Sequence, residues 1–105
     1  MPQSKHMEKY QQELDVWFSE QGWEYWTPHE ILARLFEEGG ELARLVNHLH
    51  GPKKKKSDEI KQDIEEEIGD IIYTLICYAN SNGLNLDRAI RKSIDKAIKR
   101  DMGRY

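Results

Sequence analysis

The sequence predicts an all-α chain of four helices, bundle-like, with short connections. Apolar residues recur at three- and four-residue spacings along most of its length. Helix start and stop signals fall at the ends of those periodic runs. No stretch shows the alternation of a half-buried strand.

The first helix is expected over Ser4–Gln21, where Met7, Tyr10, Leu14, Trp17 and Phe18 keep the helical period. Gly22 is a plausible stop, and the aromatic linker GWEYWTP follows. Thr27 is the predicted N-cap of the second helix, with Pro28 at the first position and Glu30 at the third. That helix should run from Pro28 to His50 and end at Gly51-Pro52. Lys53 to Lys56 form a basic loop, most simply a solvated one. Ser57 is the next predicted N-cap, with Asp58 and Glu59 suiting the helix dipole. The third helix is expected to reach about Asn80, and its second half, IIYTLICYA, is apolar on every side and should be buried all round. After the turn NSNGLN, Leu86 or Asp87 opens a fourth helix through Ala89, Ile90, Ile94, Ala97 and Ile98. RDMGRY reads as a short polar tail.

The 105 residues suit a single domain, 1–105. A helical chain of this size buries more surface by associating, so a homo-oligomer, dimer or tetramer, is expected. Charged residues make up 33% and apolar ones 38%, the balance of a folded chain rather than a disordered one. A net charge of −3 argues against a nucleic-acid partner. No apolar run approaches the roughly 20 residues of a membrane span, so no membrane partner is expected. MPQSKHMEKY lacks the apolar region of a signal peptide. Cys77 is the one cysteine, so no intrachain disulfide can form and a cytoplasmic home is expected. It lies in the apolar run and should be buried and inert.

Two acidic stretches interrupt this pattern. FEEGGELARL carries Glu37, Glu38 and Glu41, and EEEIGDIIYTL carries Glu67 and Asp70. On a helical wheel Glu38 falls within the stripe of Ile31, Leu35, Leu42, Val46 and Leu49, with Glu41 about 60° to one side. Glu67 lies at the edge of the Ile60, Ile64, Ile68, Ile71 stripe, with Asp70 about 60° further round and Asp63 and Thr74 on the same polar line. Glu37 points away from the stripe. Antiparallel helices would bring the two i, i+3 pairs together, where carboxylates repel unless protonated or bound to a cation. Oxygen-only ligands favour Mg²⁺ or Mn²⁺ over Zn²⁺. Gly39 and Gly40, costly mid-helix, suggest close approach of a helix or a ligand.

A plainer reading competes. Glutamate is common in helices, and Arg34, four residues before Glu38, could pair with it on a solvated face. The chain would then be a non-enzymatic helical interaction module whose carboxylates diverge to solvent. A ferritin-like di-iron site needs a Glu-x-x-His pair, and neither acidic stretch has a His at that offset.

EEGGE, Glu37 to Glu41, followed on the next helix by EIGD, Glu67 to Asp70, resembles the E-E-x-x-E … E-x-x-D signature of the MazG-type nucleoside triphosphate pyrophosphohydrolases. The similarity runs from about Tyr25 to Tyr105 and takes in YWTPHEILARLFEEGGELARLVNH, the GPKKKK loop, EEEIGDIIYTLICYAN and RD-x-x-RY. It points to the short single-domain branch. The resemblance implies a four-helix MazG-type fold and Mg²⁺-dependent hydrolysis of a nucleoside triphosphate, canonical or not, ribo or deoxy. The products would be the monophosphate and pyrophosphate, by water attack at the α-phosphorus. It assigns Glu38, Glu41, Glu67 and Asp70 as metal ligands, Mn²⁺ being the other candidate ion. Glu37 would be a further ligand or the base that orients the water, which makes Glu37 and Glu38 the catalytic pair. Lys96 and Arg100 match basic residues that contact phosphates, with Arg104 a further candidate. Relatives carry an Asn near Arg100 that this chain lacks.

Trp26 is the candidate for stacking on a base, whereas Trp17 and Trp23 fit a core or an interface. Lys53 to Lys56 are candidates to order over the triphosphate. Asn80 should cap the third helix or contact a sugar, and Tyr73 and Tyr78 should pack. The four histidines show no ligand spacing.

Overall fold

Capping residues set the helix boundaries. A computed structural model describes residues 6–51 and 57–102, with the backbone alone at 57 and 58. Among them are four helices and no strand: α1 His6–Gln21, α2 Pro28–His50, α3 Ser57–Ser81 and α4 Leu86–Met102. The expected start at Ser4, the Lys53–Lys56 loop, the Ser57 side-chain cap and the tail beyond Met102 lie outside the described residues.

At α2 the Thr27 hydroxyl accepts from the Glu30 amide at 3.3 Å, while the Glu30 carboxylate takes the Thr27 amide at 3.1 Å, the reciprocal box expected. The Thr27 donors hold the Glu30 carboxyl below its ordinary pKa. Gly22 and Gly83 take left-handed φ values of 69° and 67°, which closes the ends of α1 and α3 through Trp23 N–H to Phe18 O and Leu84 N–H to Ala79 O, both 2.9 Å. Gly51 is extended instead, at φ −82° and ψ 176°, as the proline after it requires. Asn85 opens α4 by accepting from the Arg88 amide at 2.9 Å. The helix continues into the stretch expected to be tail, as far as Met102.

The chain divides into two compact units, Met1–Tyr25 with Ala79–Tyr105, and Trp26–Tyr78. In the first, α1 packs on α4 through polar groups. Gln11, buried, donates to Asn80 Oδ1 at 3.0 Å and to Leu84 O at 2.8 Å, and accepts from the Leu86 amide at 2.9 Å. Asn80 donates to Gln11 O at 2.9 Å and to the Tyr25 hydroxyl at 2.8 Å, so it ties elements together rather than capping α3, which runs on to Ser81. The Asp87 carboxylate accepts the Met7 and Glu8 amides at 3.2 and 2.9 Å, capping α1 from α4. Phe18 stacks on Tyr25 at 4.4 Å, and Trp23 meets Trp17 edge-on at 5.1 Å. Ile90, Ile94 and Ile98, through which the fourth helix is traced, are exposed.

The second unit holds α2 and most of α3, with Ile31, Ile60, Ile76, Cys77 and Thr74 buried. Here one expectation is corrected. The second half of α3 is not buried all round: Ile72, Leu75 and Tyr78 are each 40% exposed. The helix has more apolar faces than the described chain covers. Gly39, Gly40 and Gly69 also face open space within the described chain, with nothing beyond their own stretch of helix backbone within 4 Å of where a Cβ would sit. No described helix is long and apolar enough to cross a membrane.

Candidate metal centre

The centre lies in the second unit and follows from helical spacing. On α2, Arg34, Glu38 and Glu41 stand four and three residues apart and so share one line. On α3, Glu67, Asp70 and Thr74 repeat that pattern. One carboxylate oxygen each from Glu38, Glu67 and Asp70 lies within 4.8 Å of the others, the two glutamates half-buried and the aspartate exposed. Buried Thr74 donates its hydroxyl to the Asp70 carbonyl at 2.9 Å, which secures α3 beneath the cluster.

Glu67 bears the strain of this arrangement. Its Oε1 is buried and, with both glutamates ionised, receives no hydrogen bond among the described residues. Its pKa is pushed up to about 7, first by a hydrogen bond with Glu38, then by burial, then by the charges of Glu38, Asp70 and Glu41. An orphaned buried carboxylate oxygen costs about 1–3 kcal/mol or more. A proton or a cation relieves it. The donor set is three carboxylates with no His or Cys, which fits a hard divalent ion.

Other candidate residues are placed differently. Glu41 stands outside the cluster because its carboxylate pairs with Arg44 at 2.9 Å, although its charge still reaches Glu67. Glu37 is exposed and apart from it. Lys96 and Arg100 are exposed on α4 in the first unit, Arg100 paired with Asp101 at 3.0 Å, and Arg104 lies outside the described residues.

Trp26 is half-buried, with Tyr73 edge-on at 6.4 Å and the Arg34 guanidinium 4.8 Å above its ring centroid. The ion pair between Arg34 and Glu38 considered from the spacing is not formed. The Arg34–Trp26 cation–π contact escaped sequence reasoning. The only signal for it was the spacing of Arg34 from Glu38, which points equally well to a pair. Cys77 is buried beside Tyr73, and burial pushes its thiol pKa up, as an inert cysteine requires. On the apolar flank of α2 and α3 a groove of about 380 Å³ is lined by Ile31, Leu32, Leu35, Leu75 and Tyr78 with Pro28 and His29.

Residues 26–104 match the model of the MazG nucleotide pyrophosphohydrolase domain. YpjD of Bacillus subtilis (strain 168) is 42% identical over 101 residues, 96% of this chain and 91% of that one. The crystal structure of YpjD matches with a TM-score of 0.74 at 40% identity, covering 95% of this chain and 100% of that one. YvdC of the same organism is 32% identical over 99 residues, 89% of this chain and 91% of that one. The crystal structure of the Bacillus-conserved MazG protein, a nucleotide pyrophosphohydrolase, matches with a TM-score of 0.69 at 37% identity, covering 90% and 92%.

Proposed function

The chain belongs to the MazG nucleotide pyrophosphohydrolase family, and from that premise we propose that it hydrolyses a nucleoside triphosphate, ribo or deoxy, to the monophosphate and pyrophosphate with Mg²⁺. It is a hydrolase of nucleotide pyrophosphate bonds, which sets aside a purely interacting module. Enzymes of this family are generally divalent-metal dependent. The observation that carries the fuller reading is the convergence of Glu38, Glu67 and Asp70 around an orphaned carboxylate oxygen.

In this reading Glu38, Glu67 and Asp70 hold the ion. Glu41 joins them, its exposed pair with Arg44 being weak enough to exchange. Mg²⁺ or Mn²⁺ bound there supplies Lewis acidity to the phosphate oxygens and makes a bound water more acidic. Glu37, solvated and next to Glu38, orients the water that attacks the α-phosphorus and accepts its proton. Lys96, Arg100 and Arg104 supply positive charge to the phosphates, and Trp26 takes part in substrate binding. The chain works as one domain in the cytoplasm and as a homo-oligomer. Exposed Leu32, Phe36, Ile68, Ile72 and Leu75 give a second copy an apolar surface to cover.

The test is product analysis over a panel of NTPs and dNTPs with Mg²⁺ or Mn²⁺. Pyrophosphate and monophosphate are expected from at least one member. Orthophosphate instead would put the cut at another phosphorus, and no product from folded protein across the panel would overturn the reading.

A further inference from the structure

Arg34 is a cation close to the carboxylate cluster that the proposed reaction leaves without a role. It is exposed on α2, one turn before Glu38 and in line with Glu38 and Glu41. An arginine so close to carboxylates ordinarily pairs with one. This one makes no ion pair among the described residues, and its guanidinium lies over Trp26 at 4.8 Å. Trp26 is itself braced by the Tyr73 ring at 6.4 Å. Tyr73 follows Asp70 by three residues, so the trio sits about one helical turn from the carboxylates on both helices.

We propose that Arg34 is a substrate-binding residue, donating from its perch on the Trp26 ring to phosphate oxygens of a polyphosphate that a divalent ion would hold at the Glu38–Glu67–Asp70 cluster. The assignment rests on the reading that the substrate is a nucleoside triphosphate. A guanidinium held over a ring face by this contact keeps its N–H donors available to an anion. That planar fork matches two oxygens of one phosphate. One turn of helix, about 6 Å on α2, is within the length of a triphosphate chain anchored at the carboxylates. Trp26 is then a positioning residue that acts through Arg34, since the guanidinium covers one face of its ring.

The experiment measures pyrophosphate binding to the full chain with Mg²⁺ by calorimetry, Mn²⁺ binding alone, and steady-state turnover of whichever triphosphate the wild type cleaves. The variants are R34Q, R34K, W26F and W26L. Loss of a charge-assisted bidentate contact should weaken pyrophosphate binding by about tenfold or more in R34Q and raise KM, with Mn²⁺ binding intact. R34K should recover part of the loss, since it restores the charge without the fork. W26L should follow R34Q in direction and W26F should resemble wild type, a pattern that mere loss of packing does not produce. Pyrophosphate affinity and KM within twofold of wild type in both R34Q and R34K would overturn the assignment, as would loss of Mn²⁺ binding in R34Q. A wild type that releases no pyrophosphate from any triphosphate overturns the underlying reading, whereas an active wild type with an indifferent R34Q overturns only the role of Arg34.

Discussion

Two polar clusters in this molecule differ in how fully they are satisfied. Around Gln11 and Asn80, Gln11 Nε2 has two acceptors, Gln11 Oε1 takes the Leu86 amide, and Asn80 bonds in both directions. Around Glu67, three carboxylates face one another and a buried oxygen has no partner. The first cluster is complete within the chain and holds α1 to its surroundings. The second is left incomplete by the described residues when its carboxyls are ionised. Satisfied buried polar groups rigidify a fold, whereas an unsatisfied one calls for a specific cause such as a catalytic role or a bound ion.

The largest effect expected from breaking this contrast is on turnover. Glu67→Gln, Glu38→Gln or Asp70→Asn should each lower kcat/KM by more than about 100-fold, since even residues one shell further from a metal cost about 10–100-fold. The metal-free melting temperature should stay level or rise, because like charge is removed from the cluster. Turnover within a few-fold of wild type in all of them would detach these residues from the chemistry.

Gln11→Ala should act in the opposite sense. It leaves Asn80, the Leu84 carbonyl and the Leu86 amide short of a partner, and should cost about 2–4 kcal/mol. Calorimetric unfolding should show a melting temperature lower by more than about 8 °C, with kcat per folded molecule preserved. An unaltered melt would mean that the network does not stabilise the fold.

The smallest effect is a pH dependence of the metal-free protein. Folding raises the Glu67 pKa from 4.5 to about 7, so the folded state binds more protons between those values. The contribution of this group to stability is fully present below pH 4.5 and is lost as the pH rises through 7. Melting temperature should therefore fall across that window in wild type and respond less in Glu67→Gln. Added Mg²⁺ or Mn²⁺ competes with the proton and should raise the melt more at pH 8 than at pH 5.5. A parallel response of wild type and variant would remove Glu67 as the titrating group.

Much of the site's layout was legible in residue spacing. The wheel ranked Glu38 and Glu67 nearest the core and Glu37 outermost, and in the structure the first two are half-buried and Glu37 is exposed. It could not tell that Glu41 would turn to Arg44, because neighbouring positions on a helix admit several exposed pairs of nearly equal energy. For the same reason it offered Glu38 as a partner for Arg34 and missed Trp26. The apolar run of α3 declared burial, yet hydrophobicity alone does not say whether the covering surface belongs to the same chain, and Ile72, Leu75 and Tyr78 are left exposed.

The sequence by itself determined the four helices and the ends that local capping sets. Thr27 with Glu30, Gly22 and the Gly51-Pro52 stop act over only a few residues, so the atoms that satisfy one another are already neighbours along the chain. Only the tertiary structure decided that Gln11 would meet Asn80, sixty-nine residues away, and that three carboxylates would gather with one oxygen left unmatched. Those contacts depend on the separation and rotation of helices about one another, to which local hydrogen bonds are blind.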